Sequence, residues 1–530
     1  MDRRTFIQWG AGLAGLSTYL LSCKPERKIP GVIVGANATR GHLLRDKESH
    51  RPANYIDKEL VIVGGGISGL SAARWLRNLG IKDMSLLELE DHVGGNAHYG
   101  QNDLSAYPWG AHYIPVPNND LTEYLSFLAE CEVIVNTDAG GLPVYNELSL
   151  CFDPQERLYI NGRWQEGLIP QFGVPTTEMK QIELFLQRME EYRYKKGNDG
   201  KDAFAIPVDR SSKDPLYTKL DEITMKQWMQ QEGFSSESLQ EYINYCCRDD
   251  FGTTMDTISA WAGIHYFASR KGKGANASHS DVLTWPEGNG YLVNSLRRSV
   301  SEFIETNRLV TRVTSVKEGI FIDYLDGKTG QVAGYRAGKC ILAVPQFIAA
   351  RLLEDKVRQQ LVKEKVHYSP WMVANLKVDK LEERSGAPLS WDNVLHGSQS
   401  LGYVEASHQL LQQDKTQRNL TYYLPLTQEP PAEARKKAQA KTHAQWVKEI
   451  LDELRIVHPN IDEAVTEVNV VLWGHAMAQP LPGIIHGGIR QQLAQSPDPR
   501  IQFAHTDLAG ISIFEEAFYQ GINAAKKMVE

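Results

Sequence analysis

Three glycines, Gly64, Gly66 and Gly69, hold a G-x-G-x-x-G spacing, and Glu88 stands 19 residues beyond the last of them. The chemistry this pattern serves is the binding of a dinucleotide. Turns without side chains let a pyrophosphate reach backbone N–H groups at a helix N-terminus, where the helix dipole favours negative charge. A carboxylate about 20 residues further on meets a ribose hydroxyl. Glycine-rich turns also arise for steric reasons alone, so the flanking elements decide. Leu60-Val61-Ile62-Val63 reads as a strand buried on both faces. Ala72, Ala73, Trp75, Leu76 and Leu79 recur at near-helical spacing and predict an inward helix face after the turn. Met84 to Leu87 predicts a second strand that delivers Glu88. Strand, glycines, helix, strand and acid follow in the order that positions a nucleotide.

The stretch Val61 to Leu70, with Ser68 inside its glycine turn, and the stretch Leu87-Glu88-Leu89-Glu90-Asp91-His92-Val93-Gly94-Gly95 resemble the opening of the flavin-containing amine oxidase superfamily. The resemblance implies FAD rather than NAD, with Gly94-Gly95 wrapping the cofactor phosphates. The family's usual arginine after that pair is Asn96 here, which can donate a hydrogen bond but brings no charge. Further on, Gly110-Ala111 match a small pair that passes beside the flavin ring. Pro108 replaces the family's acid, and His112 becomes a catalytic candidate. Trp285 to Leu292, a helix through Leu296, Val300 and Phe303, and the strand Lys339 to Val344 ending at Pro345 resemble the family's second cofactor segment, with Val313 at the adenine contact. Ile501 to Asp507, followed by a helix through Ala517 and Gly521, resembles its closing motif and puts Asp507 near the ribityl-phosphate.

Such enzymes use the flavin for the redox step, while the protein orients the substrate and tunes the ring. Amine oxidases commonly hold the amine between two aromatic rings. Trp473 supplies one wall and is the second catalytic candidate. The family's other ring position falls on Ile513, with Phe514 next to it as the aromatic substrate contact, so half a cage is expected. The lysine that many relatives place beside the flavin falls in ambiguous register near Asn375 or Lys377 and is assigned to neither. No cysteine follows Cys340, which argues for non-covalent FAD. Trp473 through Gly483 also resembles protoporphyrinogen oxidases and carotenoid desaturases, which act on larger, less polar substrates. Three readings therefore stand: an amine or polyamine oxidase or dehydrogenase passing electrons to oxygen or another acceptor, a desaturase-like flavoenzyme, and a flavin-binding lipoprotein without turnover. Acidic residues around the substrate would favour polyamines, and a broad apolar channel the second reading.

The elements predict an α/β protein: a Rossmann-like FAD-binding domain assembled from three chain segments (58–117, 281–345 and 470–530), interleaved with an α+β substrate domain (118–280 and 346–469). Leu121, Tyr124, Leu125 and Leu128 open the helical part, and helices are expected over Met179 to Tyr194 and Glu222 to Cys247. A strand is expected over Trp371 to Val378, and one long charged helix before Val457.

A chain of 530 residues with 42% hydrophobic and 23% charged composition has ample core for more than one domain. Its net charge of −8 argues against a nucleic-acid partner. The first 23 residues read as an address. Arg3-Arg4 is a twin-arginine start, an apolar stretch follows from Ala11 to Leu21, and Leu20-Leu21-Ser22-Cys23 resembles a lipoprotein signal in which Cys23 is acylated. Export to the periplasm or cell surface with a lipid anchor is the expectation. Residues 24–57 read as a tether, with Gly31 to Gly35 an added strand or loop. The cysteines form no metal pattern and read as buried small hydrophobes.

Overall fold

The computed structural model describes residues 27–35, 38–45, 51–411 and 416–530. Arg3, Arg4 and Cys23 lie outside the described residues.

Leu60, Val61, Ile62 and Val63 are buried, as four apolar residues between two layers must be. They end the strand Ile56–Val63 at the middle of a seven-stranded sheet. Its parallel neighbours are Met84–Leu87 on one side and Val332–Leu342 on the other, and Ile304–Glu305 and Ile501–Phe503 extend the parallel pairing. An antiparallel pair, Gly319–Asp326 and Arg308–Val316, completes it. Residues from near 60, near 340 and near 500 thus meet in one sheet, a mixed α/β architecture with the nucleotide turn at its centre.

The helix Ile67–Asn78 leaves that turn with Leu70, Ala72, Ala73 and Leu76 buried, while Leu79 falls at its C-cap and is 53% exposed. It crosses the C-terminal helix Phe514–Val529 at very short range. A Cβ on Gly521 would lie 2.1 Å from the Ser68 carbonyl oxygen, so only glycine fits there.

A second, eight-stranded sheet carries the other layer. Its order is Ile33–Gly35, Val465–Ala478, Tyr368–Asp379, Gln417–Pro425, Tyr403–Glu405, Asp392–Leu395, Glu156–Ile160 and Arg163–Glu166. Helices between Thr176 and Ala268 pack into a separate core around Phe185, Trp228 and Trp261. Two helices expected to be continuous are broken. Glu222 to Cys247 divides into Met225–Gln231 and Glu237–Phe251, because Gly233 turns at φ +80° and the Ser236 side chain caps the second helix through Leu239 N–H. The long charged helix divides at Lys441, where Thr442 and Gln445 form a capping box for His443–Leu454. The five described cysteines are buried and unbridged. Among the described residues no helix is long and apolar enough to cross a membrane.

A Gly521→Ala substitution will force the two helices apart. We expect a loss of about 1–3 kcal/mol, the usual cost of overpacking, read as a lower midpoint in thermal unfolding.

Candidate functional site

The glycine turn opens onto a cavity of about 370 Å³. Each glycine there has its own reason. Gly64 adopts φ +107° and lies against the Ala343 carbonyl, where a Cβ would come within 2.3 Å. A Cβ on Gly69 would come within 1.9 Å of the Gly64 carbonyl, so Gly69 closes the turn without itself lining the cavity. Gly66 faces open space: a Cβ there would meet no atom within 4 Å. It is also the N-cap of Ile67–Asn78, with no side chain capping that end. The first-turn N–H groups have no partner within their own helix, and the cavity lies in front of them. A second glycine loop folds over the first: Gly94 N–H donates to the Gly65 carbonyl at 2.9 Å, and Gly95 has φ +56°. This uncapped helix end, with space only where a phosphate would sit, fits a dinucleotide.

Glu88 closes one end of the cavity. Its carboxylate accepts from Gly65 N–H at 2.7 Å and Glu90 N–H at 2.8 Å, and burial raises its pKa. Arg308, Leu309 and Val310 line the same cavity. Val313 does not. It is buried in the same core as Val310, on the same face of the strand and further along it. Ser68 lines the cavity, but its hydroxyl donates to the Ala517 carbonyl at 2.8 Å and so ties the two helices together. Asn96 donates to the Ala476 carbonyl at 2.6 Å and thereby joins the second glycine loop to the other sheet. Asp507, 2% exposed, accepts from Gln346 N–H at 2.7 Å and the Tyr368 hydroxyl at 2.5 Å. Burial opposes its charge, but His505 at 3.0 Å and these donors hold its pKa below the ordinary value.

A second cavity of about 180 Å³ adjoins the first. Asn96, Ala111, Ile513 and Phe514 line both, so the two cavities open onto one another. Gly110, His112 and Trp473 line the second alone. Trp473 is fixed by donating from its indole N–H to the Trp109 carbonyl at 2.6 Å. The His112 ring lies 4.7 Å from Tyr423 and 5.6 Å from Trp391, and burial lowers its pKa to about 4. Asn375 and Lys377 lie on the same face of their strand as Trp371 and Val373, which do line the cavity, but further along it. Asn375 donates to the Pro108 carbonyl at 3.1 Å, and Lys377 pairs with Asp103.

Other lining residues carry no motif. Asp249, Asp250, Asp392 and Glu515 face this cavity with one guanidinium, Arg270, which pairs with Asp250 at 3.1 Å. The Tyr113 hydroxyl lies 3.5 Å from Asp249, and the Tyr245 hydroxyl donates to Asp392 at 3.2 Å. Burial, then the charge of Asp250, raises the Asp249 pKa to about 7. Burial raises Glu515 to about 7 and Asp392 well above the ordinary carboxylate range. Tyr245 and Asp249, four residues apart and both half-buried, stand on one face of the helix Glu237–Phe251.

The profile of the flavin-containing amine oxidoreductases matches residues 67–529. This chain belongs to that family. The family is one of flavin-containing oxidoreductases, and the first cavity has the uncapped helix end that FAD's phosphates require. Among curated relatives, pig (Sus scrofa) flavin-containing amine oxidase B is 23% identical over 307 residues, 56% of this chain and 51% of the relative. The chain thus spans about half the length of that relative. Putrescine oxidase bound to putrescine shares the fold with a TM-score of 0.64 at 17% identity, covering 90% of this chain and all of the other. A putative protoporphyrinogen oxidase from Exiguobacterium gives 0.58 at 13% identity, covering 90% and 100%.

Filling the phosphate cradle will separate cofactor binding from folding. Gly66→Ala meets no protein atom, so the unfolding midpoint of the apoprotein should stay unchanged. FAD affinity should fall about ten-fold or more, the loss of one charge-assisted hydrogen bond, measured by flavin fluorescence titration.

Proposed function

We propose that the chain is an exported FAD-dependent enzyme that oxidises an amine with more than one positive charge, a diamine or polyamine. The observation that carries this reading is the imbalance of the second cavity. Four carboxyl groups face it, against one guanidinium that is already paired. A cation held there leaves water for carboxylates that burial has made costly to ionise alone. Trp473, Tyr423 and Phe514 supply aromatic surface beside the junction with the FAD cavity.

When bound, FAD takes up the hydride removed from the carbon next to nitrogen. The protein's part is positioning and proton handling. Asp249 and Asp392 hold the distal ammonium. The His112 ring, uncharged at neutral pH, adds no competing cation beside the reacting end. No cysteine lines either cavity among the described residues, which supports non-covalent FAD. Oxygen or another acceptor then removes the electrons.

The sign of the pH dependence follows from the raised carboxyl pKa values. Asp249 and Glu515 are neutral below about pH 7 and charged above it, while an alkylamine stays protonated over that range. KM for a diamine should therefore fall as pH rises from 6 to 8. Asp249→Asn and Asp392→Asn should each raise KM about ten-fold to one-hundred-fold, the equivalent of about 1.5–3 kcal/mol for a hydrogen bond to a charge. The decisive measurement is anaerobic bleaching of the flavin absorbance by a panel of mono-, di- and polyamines, with oxygen readmitted to separate oxidase from dehydrogenase. A bound flavin that no amine reduces would sink the reading and turn the search to apolar substrates or to a binding role without turnover.

Export and anchoring rest on Arg3-Arg4 and the Leu20-Leu21-Ser22-Cys23 sequence. Cys23→Ala should move the protein from the membrane pellet to the soluble fraction in fractionated cells. Unchanged pelleting would remove the lipid anchor from the proposal.

A further inference from the structure

The family match begins at residue 67, yet residues well before it reach the cofactor cavity. Residues 27–35 and 38–45 are clamped at both ends, each end on a different sheet. Ile33–Gly35 pairs in parallel with Val470 to Leu472 at the edge of the eight-stranded sheet. Arg27 donates to the carbonyls of Asp462 and Glu463 at 2.8 and 3.0 Å, and Val32 N–H donates to the Asn469 side chain at 3.1 Å. Gly31, at φ +143°, is where the segment lies flat on its neighbour; a Cβ there would lie 1.7 Å from the Val468 carbonyl oxygen.

The other end rests on the nucleotide-binding sheet. Arg40 donates to the Asn307 side chain at 2.8 Å, and also reaches the Gly327 carbonyl at 3.3 Å and the Leu89 carbonyl at 3.4 Å. Its guanidinium lies against Gly327, where a Cβ would come within 2.6 Å of it. Between these clamps Gly41 and Leu44 line the FAD cavity. They stand at the Glu88 end, where Arg40 holds Leu89, the residue after the acid positioned for the ribose.

We propose that residues 27–35 and 38–45 form a strap that retains FAD by closing the adenosine end of its cavity, with Arg40 and Leu44 as positioning residues for the cofactor. The proposal rests on that cavity's being the FAD site. Two properties suit the strap to the task. Its two lining residues, Gly41 and Leu44, are uncharged, which suits the adenosine rather than the phosphates. It also closes with little burial of its own: Ile33–Gly35 is exposed, and the helix Ala38–His42 has no buried residue. A segment held by so few contacts gains a large share of its closed-state stability from whatever lies beneath it, so bound FAD favours closure and closure slows FAD release.

The test works at both clamps in the full-length protein. Arg40→Ala and Gly31→Ala holoproteins should release FAD at least about ten-fold faster than wild type, the factor that one lost charge-assisted hydrogen bond supplies. Release is followed by the recovery of flavin fluorescence after dilution. The unfolding midpoint of the Arg40→Ala apoprotein should not move, whereas Gly31→Ala lowers it by the cost of its clash with the Val468 carbonyl. Affinity for FMN, which lacks the adenosine half, should be equal in variants and wild type. In wild type itself, FAD should slow tryptic cleavage after Arg40 and Arg45. Wild-type release rates in both variants, an equal loss of FMN affinity, or cleavage of the strap at one rate with and without FAD would overturn the proposal. A wild-type protein that binds FMN but shows no preference for FAD would do the same. A wild-type protein that binds no flavin would overturn the cofactor assignment as well.

Discussion

The structure depends on two places where backbone must touch backbone with nothing between. Gly69 lies on the Gly64 carbonyl, and Gly521 lies on the Ser68 carbonyl. The first contact makes the strand-to-helix turn sharp enough to aim a helix end at a phosphate. The second brings the C-terminal helix close enough for Ile513, Phe514 and Ala517 to form the opposite wall. A methyl group at either place would open the cavity by shifting an entire helix. The Ser68 hydroxyl, bonded to the Ala517 carbonyl, locks the same crossing from the side.

The two cavities are opposite in physical character, and their junction is what makes them one site. The first offers N–H groups and a helix dipole to an anion. The second offers carboxyl groups and aromatic rings to a cation. Asn96 belongs to both linings, and its bond to Ala476 sets how far the nucleotide layer stands from the substrate sheet. Its lack of charge therefore matters less than its reach.

The α/β class and a dinucleotide site were legible because a glycine spacing is a local signal tied to a fixed geometry, while FAD came from the family resemblance. Gly64, Gly66 and Glu88, singled out by spacing, and Gly94, Gly95, Asn96 and Asp507, singled out by resemblance, line the first cavity. Val313, given by resemblance as the adenine contact, is buried in the core beside Val310 and does not line the cavity. The acidic wall was illegible. Asp249 sits on a helix and Asp392 on a strand 143 residues later, and only the tertiary fold brings them to one cavity. The break at Gly233 shows the limit of periodicity, since the apolar spacing continues on both sides while the backbone turns.

The seven-stranded sheet has a consequence for how the protein is made. Its strands come from distant parts of the chain, and Ile501–Phe503 is made well after Ile56–Val63 and Val332–Leu342. The cavity walls at His505 to Ala517 follow it, and Gly521, which seats the helix Phe514–Val529 on the glycine turn, comes after them. Pairings of such long sequence separation form late and slowly. At ordinary elongation rates of roughly 5–20 residues per second, the glycine loop is made tens of seconds before the opposite wall. Cofactor loading therefore waits for residues 501–521, and until then the apolar strands around Ile62 are surfaces for a chaperone to cover.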